Sequence, residues 1–376
     1  VKVDYSPVYT APTVAGPAVA YVGSPNNAYS FNTVGGATQY GWRYATKSVA
    51  AAESCDSLTN VTTSTSSSYN VVDTGVKDSG SSASFHLAHP VASTQTVTLN
   101  GQYYPAAGAS MQFRSRLGWA SALQVARVQI STNGGTSWSD LYAQAGNDSS
   151  GESSFNTRTL SLAAYSGTVI RLRFSFTFSG GGSYYPQTSA GVGWYIDTIS
   201  FSNTSQLAGI TTVEPVASTA FNFSPPSTGT YMLSARPYIS GRYWDYGPMK
   251  EVTAQAPMSY TTWISTQYQT VTGGPGADYD KDGLNNGIEF AFGLNPTVAN
   301  AASAAPLPTI GVNSMTLACT QPAGVTGVTY GAQYSSDLVH WNDLLTDTGT
   351  AGTHTFTVNT VDQPRMFMRW KITVAP

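Results

Sequence analysis

Charge is what this chain of 376 residues has least of. Only 10% of it is Asp, Glu, Lys or Arg, against roughly a quarter in ordinary soluble domains. Its 17 Lys and Arg are scattered among 20 Asp and Glu. Neutralising a phosphate backbone needs clustered cations, so nucleic acid is excluded as a partner. Cysteine is nearly missing too. Cys55 and Cys319 stand far apart without metal-site spacing, which leaves open one long-range disulfide or two buried thiols. No apolar run reaches about 18 residues, so no transmembrane segment is expected. Helical periodicity is almost absent, as are the G-x-S-x-G and H-E-x-x-H arrangements of hydrolases.

What is present in quantity is small, hydroxylated and aromatic: 36 Gly, 23 Tyr and abundant Ser and Thr. A neutral surface of this kind suits a secreted, extracellular or cell-surface β-protein better than a cytosolic enzyme. The first residue is Val1, and the chain reads as a mature form or as a piece of a larger precursor. Its opening "VKVDYSPVYTAPT" reads as a reaching arm or a linker. Alternating segments such as "QYGWRYAT", "VARVQIST", "VIRLRFSFTF" and "RMFMRWKITV" are separated by Gly, Pro, Asn and Ser. Short alternating strands between turn signals give an all-β fold of sandwiches or barrels.

Five segments follow. Residues 1–74 and 205–256 read as two parts of one Ig-like or fibronectin-III-like sandwich, since neither alone has strands enough to cover a core, the alternative being two separate small domains. Tyr231, two residues after Gly229, sits where a tyrosine corner would. Residues 75–204 read as a jelly roll inserted between them. Within the first part, "SLTNVTTSTSSSYN" (57–70) reads as a flexible or sugar-bearing connector. Asn133-Gly134 signals a tight turn with positive φ at both positions. Residues 257–300 hold an acidic loop and a short helix, and 301–376 a last small β-domain. There "YSSDLVHW" echoes "ISTNGGTSW".

The "STNGGTSW" hairpin, the "YSGTVIRLRF" strand and the terminal "GWYIDTISF" resemble the MAM-like jelly-roll modules of secreted bacterial peptidases and surface proteins. The resemblance covers about a third of the chain. It implies adhesion, carbohydrate binding or architecture, and not catalysis. The order of Asp-rich loop, short helix, Asn-Pro and small β-domain resembles C-terminal regions that serve export, anchoring or display.

The sharpest chemical signal is "DYDKDGLNNGIEF". It fits D-x-D-x-D-G-x5-E in full. Asp278, Asp280 and Asp282 take positions 1, 3 and 5, and Gly283 the sharp turn. Leu284 offers a backbone carbonyl, Asn286 takes position 9, and Glu289 closes the loop. Three carboxylates on alternate residues point inward only when a cation offsets their repulsion, so Ca2+ is the expected cofactor. The bland alternative is a solvated acidic turn. "TGGPGA" precedes the loop, so no helix enters it, and the arrangement resembles the half-hands of dockerin and thrombospondin type-3 repeats. A helix is expected over about 285–292, stopped by Gly293 and Asn295-Pro296.

Other sites are weaker. His86 and His89, three apart on a strand, read as surface residues of a strand edge. Glu152, Asp197 and Asp245 are the carboxylates a glycosidase reading would need, and Asp197 reads instead as orienting a strand or holding a structural cation. Tyr184 and Tyr185 in a Gly-rich loop, Tyr243, Trp244 and Tyr246 in "GRYWDYGP", and Tyr103 and Tyr104 in "GQYYP" suit stacking on sugars or proteins. Equally, they close the ends of cores. The leading expectation is a non-enzymatic structural or adhesive protein, calcium-braced, that self-assembles into a polymer or surface layer, or attaches to polysaccharide. The alternative is the accessory, substrate-binding region of a secreted hydrolase or peptidase.

Overall fold

Alternation turns into buried and solvent-facing rows wherever one face of a strand meets a core. Gln124–Ser131 shows this directly: Ala126, Val128 and Ile130 are buried and the residues between them half-exposed. The computed structural model describes residues 10–180 and 190–375. Strands hold 47% of it and helices 6%, so the fold is all-β. The chain divides into two compact units. One is Arg43–Thr212; the other holds the chain up to Trp42 and from Val213 onward.

Arg43–Thr212 is a two-sheet sandwich. One antiparallel sheet runs, in spatial order, Ser139–Ala145, Gln124–Ser131, Arg171–Phe178, Gln95–Leu99 and Val61–Ser64. The other is built on Gln102–Leu117, flanked by Asn156–Ser161 and by the strand beginning at Trp194. Phe113 meets Phe174 at 5.3 Å, and Phe174 meets Trp194 at 5.7 Å, across the gap between the sheets. Val61–Ser64 corrects the reading of 57–70 as a connector. Val61 is buried and its strand pairs with Gln95–Leu99, so hydroxyl-rich sequence here is an edge strand. The two compact units divide at 42/43 and at 212/213. The Asn133-Gly134 turn is also longer than expected. Positive φ falls on Gly134 and Gly135, and Ser131 Oγ accepts from Gly135 N at 2.8 Å.

The other unit contains a small aromatic sandwich. Val14–Ala15, Ala28–Phe31 and Ala220–Asn222 form a three-stranded sheet. Val19–Tyr21, Lys250–Gln255 and Gly229–Ile239 belong to a second sheet. Trp42 stacks on Phe221 at 4.4 Å, and Phe223 packs edge-on to Tyr231 at 5.4 Å. The Tyr231 hydroxyl donates to Ser227 O at 3.1 Å, four residues back, which is the hydrogen bond of a tyrosine corner.

The C-terminal sandwich pairs a sheet of Thr309–Ile310, Ser314–Thr320 and Thr353–Asn359 with one of Asn342–Leu344, Val328–Ser335 and Phe367–Val374. Leu317, Tyr330, Ala332, Phe356, Val358 and Met368 fill it. Two helices lie before it. α1, Tyr260–Gln267, was not expected from the sequence. Ser259 Oγ caps it by accepting from Thr262 N at 3.3 Å. α2, Asn286–Phe292, lies within the expected helix. Asn285 Oδ1 accepts from Ile288 N at 2.8 Å, and Gly293 closes it at φ 70°. The bond from Leu294 N to Glu289 O, 2.8 Å, and that from Gly293 N to Phe290 O, 3.2 Å, complete a Schellman stop.

Candidate metal centre

Asp278, Asp280 and Asp282 stand on successive odd positions of a loop that turns through Lys281 at φ 64° and Gly283 at φ 94°. Their carboxylate oxygens lie within 4.8 Å of one another. Backbone donors organise part of this negative charge. Asp278 Oδ1 accepts from Lys281 N at 2.7 Å and Oδ2 from Gly283 N at 2.9 Å. Asp282 Oδ1 accepts from Leu284 N at 2.7 Å and Oδ2 from Asn300 N at 2.6 Å.

Asp280 differs. Both of its carboxylate oxygens are buried with no hydrogen-bond partner, and so is Glu289 Oε2. Glu289 is fully buried at 0% exposure. Burial, then Asp280, Asp282 and Asp278, push its pKa up to about 7. Burial, then Asp282 and Asp278, raise that of Asp280. Orphaned buried carboxylate oxygens beside further carboxylates are costly unless a cation meets them. An all-oxygen donor set selects a hard ion, and the spacing selects calcium. The residues present therefore fit Ca2+.

One predicted ligand, Asn286, has its side chain engaged otherwise. Asn286 is buried, and its side chain is engaged in bracing the loop: Oδ1 accepts from Tyr279 N at 3.3 Å and Nδ2 donates to Gly274 O at 3.4 Å. Leu284 is 9% exposed and precedes the helix cap. A residue that the spacing motif does not contain, Asn300, completes the loop. Besides its bond to Asp282, its Nδ2 donates to Glu289 Oε1 at 3.3 Å. Only its polar character in an Ala-rich stretch, "VANAAS", singled it out.

The remaining candidates sort differently. His86 and His89 are not surface residues: they are 4% and 0% exposed. His86 stacks on Tyr195 at 4.1 Å and bonds Val192 O at 2.7 Å through Nε2. His89 bonds Phe176 O at 3.0 Å, and Gln124 Nε2 meets its Nδ1 at 3.1 Å. Asp197 is fully buried and accepts from Asp78 N and Ser81 Oγ, both at 2.9 Å. Glu152 accepts from Leu117 N at 2.7 Å and pairs with Arg158. Asp245 is exposed.

Among the aromatics, Tyr184 and Tyr185 lie outside the described residues. Arg236, paired with Glu214 at 2.7 Å, sits over the rings of both Tyr243 and Tyr246, at 4.5 and 4.6 Å. Arg242 sits 4.0 Å from the ring of Trp244. Tyr103 and Tyr104 lie on a strand and not a loop, and Tyr103 is buried against Phe201 at 4.6 Å. Cys55 and Cys319 are both free.

No protein-family model matches this chain, and no curated protein does. Several solved structures align with parts of it. The cleaved adhesin domain of Lys-gingipain from Porphyromonas gingivalis is 12% identical, with a TM-score of 0.29, over 40% of this chain and 96% of its own. A carbohydrate-binding module of the β-sandwich superfamily is 14% identical, with a TM-score of 0.27, over 52% of this chain and 98% of its own. The C-terminal CBM6 of LamC from Zobellia galactanivorans is 17% identical, with a TM-score of 0.21, over 39% and 99%. At such scores the alignments carry neither a fold nor a function to this chain.

Proposed function

We propose that this chain is a non-catalytic extracellular protein that acts by binding or assembly, and that a resident calcium ion braces its C-terminal sandwich. The observation that carries the brace is the set of unpartnered, buried oxygens on Asp280 and Glu289. Asp278 and Asp282 complete the acidic set. The ion's chemistry is charge compensation, and its mechanical effect passes through α2. Phe290 on that helix packs on Tyr260 and Trp263 of α1 at 5.7 and 5.1 Å. Phe292 packs on Trp370 at 5.3 Å, and the Tyr330 hydroxyl donates to Ala291 O at 2.5 Å. The non-catalytic reading is supported by Glu152 and Asp197, whose oxygens are engaged in structural bonds.

Extracellular calcium modules bind at roughly 0.1–1 mM, which suits permanent occupancy. Millimolar calcium, at about one to ten times such a dissociation constant, stabilises by about 0.4–1.4 kcal/mol. Melting with millimolar calcium and with chelator tests the brace. Calcium is expected to raise Tm by several degrees in the native chain and not in Asp280→Ala. An equal rise in that variant, or none in the native chain, sinks the idea. Electron microscopy of the same samples tests assembly: ordered filaments support it, and monodisperse monomers count against it.

A further inference from the structure

The Arg43–Thr212 sandwich carries a groove whose lining shares only Tyr103 with the expected binding residues. It opens where three stretches meet: residues 51–60, the Asn100-Gly101 turn, and residues 206–210. Its volume is about 410 Å³, within the roughly 300–1,000 Å³ of small-molecule sites. The first stretch is held inward by Glu53, whose backbone bonds Ile199 in both directions, at 2.9 and 2.8 Å. The Glu53 carboxylate is almost buried, at 7% exposure. It accepts from Cys55 N at 2.9 Å and from Asn60 Nδ2 at 3.1 Å. Asn60 O in turn accepts from Asn100 N at 2.9 Å, and Thr62 Oγ1 donates to Asn100 Oδ1 at 2.7 Å. These walls are built by specific bonds.

The lining chemistry narrows the ligand. Among the described residues it contains no Lys, Arg or His, and its only ionisable groups are Glu53 and Tyr103. An anion would meet no counter-charge and one negative carboxylate, so phosphates and acidic sugars are disfavoured. A hydrocarbon ligand would require a mainly apolar lining, whereas Asn60, Asn100, Gln102 and Gln206 set four side-chain amides among the lining residues here. Gln102 and Gln206 both line the groove, from paired strands in which Gln102 lies opposite Leu207 and Gln206 opposite Tyr103, and no hydrogen bond among the described residues engages either side-chain amide. Each amide offers two donors and an acceptor, the match for hydroxyls that both donate and accept. Tyr103, opposite Gln206 in the register, adds ring surface at the base.

We infer that this groove binds a short stretch of neutral glycan through the amides of Gln102 and Gln206, with Asn60, Asn100 and Glu53 as its fixed frame. The inference rests on the reading of the chain as a binding protein and is independent of the calcium brace. Because the side-chain amides of Gln102 and Gln206 have no hydrogen bond among the described residues, their truncation should leave the strand pairing and the sandwich intact.

The test is NMR titration of the full chain with neutral tetrasaccharides of cello-, xylo-, laminari- and manno-type, and with oligogalacturonate as the acidic control. At least one neutral sugar should shift the Gln102 and Gln206 side-chain amides at millimolar concentration. Affinity should fall at least tenfold in the Gln102→Ala/Gln206→Ala double variant, and chelator should not change it. The inference is overturned if no neutral sugar shifts these resonances up to about 10 mM, if the folded double variant binds equally well, or if only oligogalacturonate binds. Should the double variant not fold, the location of the shifts in the native chain decides. Sugar binding with no calcium effect on melting would remove the brace and leave the groove. A calcium effect with no sugar binding would do the reverse.

Discussion

Burial turns His89 from a surface base into a neutral core side chain. Its Nε2 must donate to the Phe176 carbonyl, which leaves Nδ1 to accept from Gln124. Desolvation brings its pKa down to about 4, against the bond to Phe176 that would raise it. The unfolded chain, with an ordinary imidazole near 6.5, therefore binds more protons between those values. Stability is full above about pH 6.5 and is lost as pH falls toward 4, by on the order of 3 kcal/mol from this residue. NMR titration of the His89 ring checks it: a midpoint near 6.5 in the folded protein would falsify the assignment. The sequence hid this residue for a physical reason. Ser84–Leu87, which carries His86, is buried on both faces, and His89 lies buried two residues past its end, so the rule that polar residues on a strand face solvent fails for both. Tyr103 was missed similarly, because nothing local shows that "GQYYP" begins a sixteen-residue strand.

At the scale of elements, the echo between "ISTNGGTSW" and "YSSDLVHW" is a shared construction. In the first hairpin, Gln129 accepts from Arg173 Nε at 2.7 Å and donates to Asp140 Oδ1 at 2.8 Å, and Arg173 covers Trp138 at 4.3 Å. In the second, Gln333 accepts from Arg369 Nε at 2.9 Å and donates to Asp343 Oδ1 at 2.8 Å, and Arg369 covers Trp341 at 4.0 Å. Ser131 and Ser335 hold the two turns by accepting backbone N–H groups. Gln129→Ala and Gln333→Ala should each cost about 1 kcal/mol in urea denaturation, since they remove two and three side-chain bonds at half-exposed sites. Losses below about 0.3 kcal/mol in both would make the ladder ornamental. The strand, turn and Trp were legible because they are local. The arginines were not, since they lie 44 and 36 residues beyond their glutamines. Helix α1 escaped for a related reason. "YTTWISTQ" is rich in β-branched and aromatic residues, poor helix formers. A cap and the packing of Trp263 on Phe290 make it helical, and that contact is set by tertiary structure.

For the whole molecule, the spacing of the acidic loop was legible but its mechanical setting was not. The loop is continuous with α2, and α2 has two packed sides. Phe290 joins a cluster with α1, Val325, Val328 and Val374, while Ala291 and Phe292 belong to the core of the C-terminal sandwich. Val328 and Val374 are paired residues of adjacent strands in that sandwich. An ion that relieves the repulsion among Asp278, Asp280, Asp282 and Glu289 therefore stabilises contacts well beyond its ligands. Hydrogen exchange should show calcium slowing the amides of Val328–Ser335 and Phe367–Val374 along with those of α2. The Arg43–Thr212 sandwich, whose core is its own, should exchange at the same rate with calcium and with chelator. Tyr330→Phe removes the hydroxyl bond to Ala291 O and should weaken this transmission while leaving calcium affinity within about threefold, because the residue touches no carboxylate of the loop. Protection confined to residues 278–292 would make the ion a local staple of its own loop. Protection that reaches the paired strands, and shrinks in Tyr330→Phe, would make it the brace of a domain.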